Sequence, residues 1–268
     1  MKEELLAAAL PEERRLQIAA QLRRDARVRV EDLAHQFTVS GETIRRDLQV
    51  LEERGVLRRV YGGAVAQEGR SWESAIEERA VAHLDPKRAI AAAAAALVEP
   101  GDTVILDVGT TVAETARALP ATFSGRALCC SVPTAAELTS RDDVEVHLAG
   151  GQLRRADLAC VGASAERFLD QFFADRAFVA ASGVAAKAGV TADRLDEIPL
   201  RQAILRQATE TYVLADSTKL GHIAVGRVCA LSAVTAVITD SAADPAGVRS
   251  LEQAGVRVIV AAPLTGPE

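Results

Sequence analysis

Apolar residues follow two rhythms along this chain. In the first sixty residues they recur at helical spacing. Over 11–25, Leu16, Ile18, Ala19 and Leu22 fall mainly on one face, and Pro11 suits a first helical position. Residues 28–30 predict a short strand and 31–37 a second helix, with Leu33, Ala34 and Phe37 inward. A third helix follows, with Ser40 as N-cap, Glu42 in the first turn and Gly55 as the stop. On that helix Ile44, Leu48 and Leu51 point one way. Glu42, Arg46 and Gln49 point the other, with Thr43 and Arg45 on the flanks. Residues 56–65 alternate and turn at Gly62-Gly63, as a β-hairpin does. Residues 71–88 predict a connecting helix ending in a turn at Asp85-Pro86, with Trp72 as a packing anchor between domains or subunits.

From residue 87 the rhythm changes. Short, nearly continuous apolar runs at 103–109, 126–132, 144–151, 176–184, 210–217, 233–241 and 256–263 alternate with helical stretches. That alternation predicts an α/β domain built on a mainly parallel sheet covered on both faces. Ligands of such sheets sit outside the carboxyl ends of the strands. Those ends are polar here: Asp107 with Gly109-Thr110-Thr111, then Ser131, Gly150-Gly151, Ser182-Gly183 and Asp216-Ser217-Thr218-Lys219. Gly109 permits a tight turn, and Thr110 and Thr111 open a helix whose free N–H groups favour an anion. The same residues also make an ordinary turn and cap. Lys219 either neutralises a phosphate or pairs with Asp216.

Composition narrows the partners. Hydrophobic residues make up 49%, enough for a sizeable core, and aromatic residues only 3%, too few for a stacking surface for single strands. The net charge of −6 is unevenly spread. Residues 1–70 hold 13 basic and 12 acidic side chains, against 18 and 25 in the remainder. Cys129, Cys130, Cys160 and Cys229 show no metal-ligand spacing and read as buried free thiols. The chemistry therefore implies neither a metal nor a cofactor. The start of the chain is a poor signal peptide, and the longest apolar run, 89–98, is too short for a bilayer. The expectation is a cytoplasmic protein with no membrane partner.

Two longer matches then become recognisable. Residues 13–64, including "VSGETIRRDLQVLEERGVLRRVYGGA", resemble the winged-helix head of DeoR-type bacterial transcriptional regulators. "GDTVILDVGTT", "LAGGQLRRADLACVGASAERFL", "AFVAASGV" and "YVLADSTKLG" resemble, in order, the sensor domain of that family. The resemblance implies a small winged helix-turn-helix domain over 1–63, a connector over 64–86, and an α/β effector-sensing and oligomerisation domain over 87–268. The latter is similar to ribose-5-phosphate isomerase and CoA-transferase folds. It implies that Ser40, Thr43, Arg45, Arg46 and Gln49 of the third helix meet operator DNA, with Arg58, Arg59 and Tyr61 in the wing. It implies a pocket for a phosphorylated sugar or related metabolite at Asp107, Gly109, Thr110, Thr111, Ser131, Gly151, Glu197, Arg201, Asp216 and Lys219. Four positions depart from the family pattern: Tyr61 replaces a common His, Cys130-Ser131 replaces Thr-Asn, and Arg201 replaces Lys.

The leading expectation is a DNA-binding repressor of a carbohydrate-metabolism operon, homo-oligomeric (dimer or tetramer), released or retained by its effector. A second is a sugar-phosphate isomerase fused to a DNA-binding head, with Glu197 as base and Lys219 as electrostatic partner. A third is a DNA-binding protein whose second domain only oligomerises. The first, without enzymatic turnover, agrees with every motif.

Overall fold

The computed structural model describes residues 11–25, 27–53, 57–60, 62–66 and 82–264. Gly55, Tyr61, Trp72 and the first eleven residues of the expected connecting helix (71–81) lie outside them, as does the Arg58 side chain. The chain divides into two compact units, residues 1–74 and 75–268.

In the first unit, helices α1 (Pro11–Asp25), α2 (Val30–Gln36) and α3 (Gly41–Glu53) pack with strands β1 (Arg27–Arg29), β2 (Leu57–Val60) and β3 (Gly63–Ala66). The strands form an antiparallel sheet ordered β1-β3-β2. Ile18, Leu22, Leu33, Ile44, Leu48, Leu51 and Leu57 are sealed in the core. The inward face expected of α3 is thus the buried face. This is a winged helix-turn-helix unit, with β2 and β3 as the wing.

The second unit holds a seven-stranded parallel sheet ordered β15-β14-β12-β9-β4-β5-β6. Its strands are β4 (Thr103–Leu106), β5 (Gly125–Cys129), β6 (Val144–Leu148), β9 (Ala174–Ala180), β12 (Ala208–Leu214), β14 (Ala236–Asp240) and β15 (Arg257–Ala261). Alternate residues serve opposite faces. Val104 and Leu106 pack with Ile90 and Ala94 of α4 (Leu84–Ala95) and with Val112 and Ala116 of α5 (Thr110–Ala118). Ile105, between them in sequence, packs with Ala165 and Leu169 of α7 (Ala163–Leu169) and with Leu200 and Ile204 of α8 (Ile198–Gln207). Burial on both faces explains why these strands read as unbroken apolar runs.

Several details differ from expectation. Asp85-Pro86 is no turn: α4 begins at Leu84, and Pro86 sits in its first turn, where a missing N–H costs nothing. The helix after β5, α6 (Val132–Ala136), is a short stub. Residues 176–184 do not form one strand. β9 stops at Ala180, and Gly183 opens a separate antiparallel sheet of β10 (Gly183–Ala185), β11 (Gly189–Ala192) and β13 (Gly226–Cys229). A hairpin of β7 (Gln152–Arg154) and β8 (Ala159–Val161) follows Gly151. The last helix, α9 (Pro245–Gln253), is capped by Asp244, which accepts from Ala246 and Gly247 N–H at 3.3 Å.

Candidate functional site

The surface expected to meet DNA lies on α3. Ser40 Oγ accepts from the Thr43 N–H at 3.1 Å and lies 2.9 Å from the Thr43 hydroxyl, so the cap also orients Thr43. Arg45 and Arg46 are 63% and 79% exposed, with Glu42 at 3.5 and 3.8 Å. Such exposed pairs are weak and leave both guanidinium groups able to exchange partners. Gln49 is exposed on the same face. On the opposite side Asp47 is buried and takes Arg14 Nε at 2.6 Å and Arg15 Nε at 2.8 Å, tying α3 to α1. In the wing, Arg59 donates to Glu52 of α3 from its backbone at 2.8 Å and from Nε at 2.7 Å. Wing and recognition helix are therefore clasped together. Spacing could not reveal Asp47, because its partners lie over thirty residues away.

In the sensor unit the sheet order reverses between β4 and β9. From β4 the chain steps to β5 and β6 on one side, then returns to β9 on the other and continues to β12, β14 and β15. The carboxyl ends of β4 and β9 thus flank the switch point, the place where such sheets bind ligands. Asp107 lies there, fully buried. Its Oδ2 accepts from Ala180 N at 3.0 Å, across the switch point, and from Arg201 Nε at 2.8 Å. Gly109 has φ +152°, a conformation essentially confined to glycine, and an added Cβ would stand 3.0 Å from Ala180 Cβ. Thr110, Thr111 and Val112 then begin α5 with backbone N–H groups that take no partner among the described residues.

Arg201 is the centre of a buried ion network. Besides Asp107 it donates from Nη2 to Glu197 Oε2 at 2.8 Å. Glu197 Oε1 in turn receives Arg154 of the β7–β8 hairpin. Arg154 also grips Asp157, from Nε at 2.8 Å, and Asp196, from Nη1 at 2.8 Å. Burial, the largest influence, acts to lower the Arg201 pKa, but Asp107 and Glu197 outweigh it and hold it above its ordinary value. Two atoms remain buried and unpartnered: Asp107 Oδ1 and Arg201 Nη1. Cys130, beside them in the same core, has its thiol pushed well above the ordinary range by burial, with Asp107 adding to the effect.

Of the residues expected to line a pocket, direct bonds join Asp107, Glu197 and Arg201. Ser131 is buried at the end of β5, bonded to Thr134 at 2.8 Å, and Gly151 follows β6. Asp216 follows β12, but it does not pair with Lys219. Its Oδ1 accepts from the Thr218 backbone N–H at 3.0 Å and from the Thr218 hydroxyl, while Lys219 has no ion pair among the described residues. Arg154, Asp157 and Asp196 join this network without being among the expected residues. Their only local signal is the i,i+3 spacing of Arg154 and Asp157. A cavity of about 620 Å³ bordered by Thr103, Gly125, Arg126 and Glu145 lies at the opposite, amino-terminal edge of the sheet and holds none of the expected residues. Among the described residues no cluster of His, Cys, Asp and Glu suits a metal, and no helix is long and apolar enough to cross a membrane.

Known proteins agree with both halves. The model of the DeoR-like helix-turn-helix domain matches residues 14–70, and that of the DeoR C terminal sensor domain matches 82–241. The HTH-type transcriptional regulator GlpR of Haloferax volcanii is 34% identical, over 93% of this chain and 98% of its own. A putative aga operon transcriptional repressor of Escherichia coli O157:H7 is 32% identical, over 92% and 93%. Ribose 5-phosphate isomerase A of Methanocaldococcus jannaschii aligns at 18% identity and TM-score 0.37, over 50% of this chain and 52% of its own. The winged head, the parallel-sheet sensor unit and relatives spanning nearly the whole length make this chain a member of the DeoR family of helix-turn-helix transcriptional regulators.

Proposed function

We propose that the protein is a cytoplasmic repressor of a carbohydrate-metabolism operon, acting as a homo-oligomer whose grip on operator DNA is altered by a phosphorylated sugar. The observation that supports the sensing half is the set of groups at the switch point between β4 and β9. A helix start whose N–H donors take no partner among the described residues follows the buried Asp107, which pairs with Arg201 and leaves one acceptor and one donor without a hydrogen-bond partner among the described residues. Anions favour such helix starts, and polar ligands satisfy such atoms. The relative named as an aga operon repressor supports the regulatory half. Glu197 is a poor general base here, since both its oxygens hold guanidinium groups. That favours a sensor over an isomerase.

The test uses fluorescence anisotropy with labelled DNA from upstream of the chain's own gene and its neighbours. The full-length protein should bind one fragment specifically, and one of glycerol 3-phosphate, ribose 5-phosphate, glucose 6-phosphate or fructose 1-phosphate should change that affinity by about tenfold, within the usual span of allosteric coupling. Absence of any specific fragment would end the regulatory proposal. Robust isomerase turnover abolished by Glu197→Gln would replace it with the enzyme.

A further inference from the structure

Strand β2 is an outer strand of the first unit's sheet, ordered β1-β3-β2. Its N–H groups that point away from β3 have no strand to bond. Glu52, in the last turn of α3, closes one of them. Its Oε1 accepts from the Arg59 backbone N–H at 2.8 Å, and its Oε2 accepts from Nε of the same residue at 2.7 Å. One carboxylate therefore fixes both the strand and the guanidinium that the strand carries. The side chains are 35% exposed for Glu52 and 44% for Arg59, so the pair contributes little to stability. Its consequence is directional. A guanidinium is planar, and a bond at Nε sets the plane. Nη1 and Nη2 of Arg59 make no hydrogen bond among the described residues. Together they form the end of the fork that grips a phosphate with two parallel bonds. Glu52 also stands seven residues after Arg45, on the same stripe of α3 and about 10 Å further along its axis. The clasped Arg59 thus meets the far end of the stripe that begins with the exposed Arg45.

We propose that Glu52 is a positioning residue for operator binding: through Nε and the backbone of β2 it aims the Nη edge of Arg59 at a DNA phosphate. This rests on the operator-binding reading given above. Charge alone makes the opposite statement. A carboxylate beside the DNA backbone repels it, so removing Glu52 would tighten binding. Gln separates the two. Its amide oxygen still accepts from the Arg59 backbone N–H, but its NH2 group is a second donor facing the Nε–H donor. The strand stays held while the guanidinium is released.

Anisotropy titrations of the full-length protein with its specific operator fragment decide it, over a range of salt concentrations, for the wild type, Glu52→Gln, Arg59→Ala and the double variant. Glu52→Gln should weaken operator binding about threefold although it makes the protein more positive. Arg59→Ala should weaken it about tenfold and lower the slope of log K against log salt by about 0.9 for each head engaged. In the Arg59→Ala background Glu52→Gln should weaken binding no further, since the two residues act as one unit. A Glu52→Gln protein that binds more tightly would overturn the proposal, Glu52 then being only a repelling charge. So would an equal loss from Glu52→Gln with and without Arg59. A merely structural role would lower the melting temperature of the head and leave the salt slope of the folded protein unmoved. Should Glu52→Gln fold poorly, Arg59→Ala still decides, because it keeps the backbone bond to Glu52; an unchanged slope there overturns the proposal. If the wild type binds no fragment specifically, the operator-binding function itself falls, whereas specific binding indifferent to Arg59→Ala removes this inference alone.

Discussion

At the scale of single residues, the buried charges do the positioning. Asp47 is 2% exposed, lies on the side of α3 away from the exposed Arg46 and Gln49, and takes Arg14 and Arg15 from α1. Replacing such a carboxylate removes a partner shared by two guanidinium groups, one of them deeply buried, and removing one partner of a buried pair typically costs about 3–5 kcal/mol. A head domain of this size has little stability to spare. Asp47→Ala should therefore unfold the first unit at temperatures where the second stays folded. Differential scanning calorimetry of the full chain should show an early transition absent from the wild type. A single unchanged transition would mean that the clasp is dispensable.

At the scale of elements, the central strands of the sensor sheet carry a pH signature. Cys129 ends β5 fully buried, and burial pushes its thiol up to about 12 from 9.0. An acid whose folded pKa is raised stabilises the fold below its unfolded value and loses that contribution as pH rises toward the folded value. Between pH 8 and pH 10.5 the unfolded thiol ionises while the folded one does not, which amounts to about 2 kcal/mol. Urea unfolding should show wild-type stability falling across that window by about this much more than in Cys129→Ala. Parallel pH profiles for the two proteins would refute the burial effect. The same burial explains what the sequence reveals. β4, β5 and β9 are covered on both faces and read as apolar runs, and the α3 stripe of Ile44, Leu48 and Leu51 reads at helical period. β10, β11 and β13 have three or four residues each and sit in mixed stretches, too short for a period. Asp107, Ser131, Gly151 and Asp216 are legible as polar ends of strands, whereas Glu197 and Arg201, which lie in a helical stretch, are reached only through the family resemblance. The Asp107–Arg201 bond is not legible, because it joins positions 94 apart and depends on how β4 and α8 come together.

At the scale of the whole molecule, charge separates the two tasks. Residues 1–70 carry a net +1 and the rest −7, so the head is the less acidic part, and its exposed arginines suit a DNA backbone. This makes the salt dependence of operator binding informative. The expectation to test is that Arg45, on the flank of α3, meets the DNA backbone and Arg46, on its outward face, meets base edges. A phosphate contact contributes about 0.9 to the slope of log K against log salt, whereas a base contact contributes to sequence discrimination. If a dimer places two heads on a palindromic site, Arg45→Ala should reduce the slope by about 1.8 and weaken all sequences alike. Arg46→Ala should leave the slope nearly unchanged and cost about 1–3 kcal/mol per half-site, with relaxed specificity at one base pair. Anisotropy titrations from low to moderate salt measure both. A slope change near 0.9 would mean that one head engages the operator at a time, which a palindromic site does not allow. A change near zero for Arg45→Ala would remove that residue from the phosphate contacts and turn the recognition helix differently in the groove.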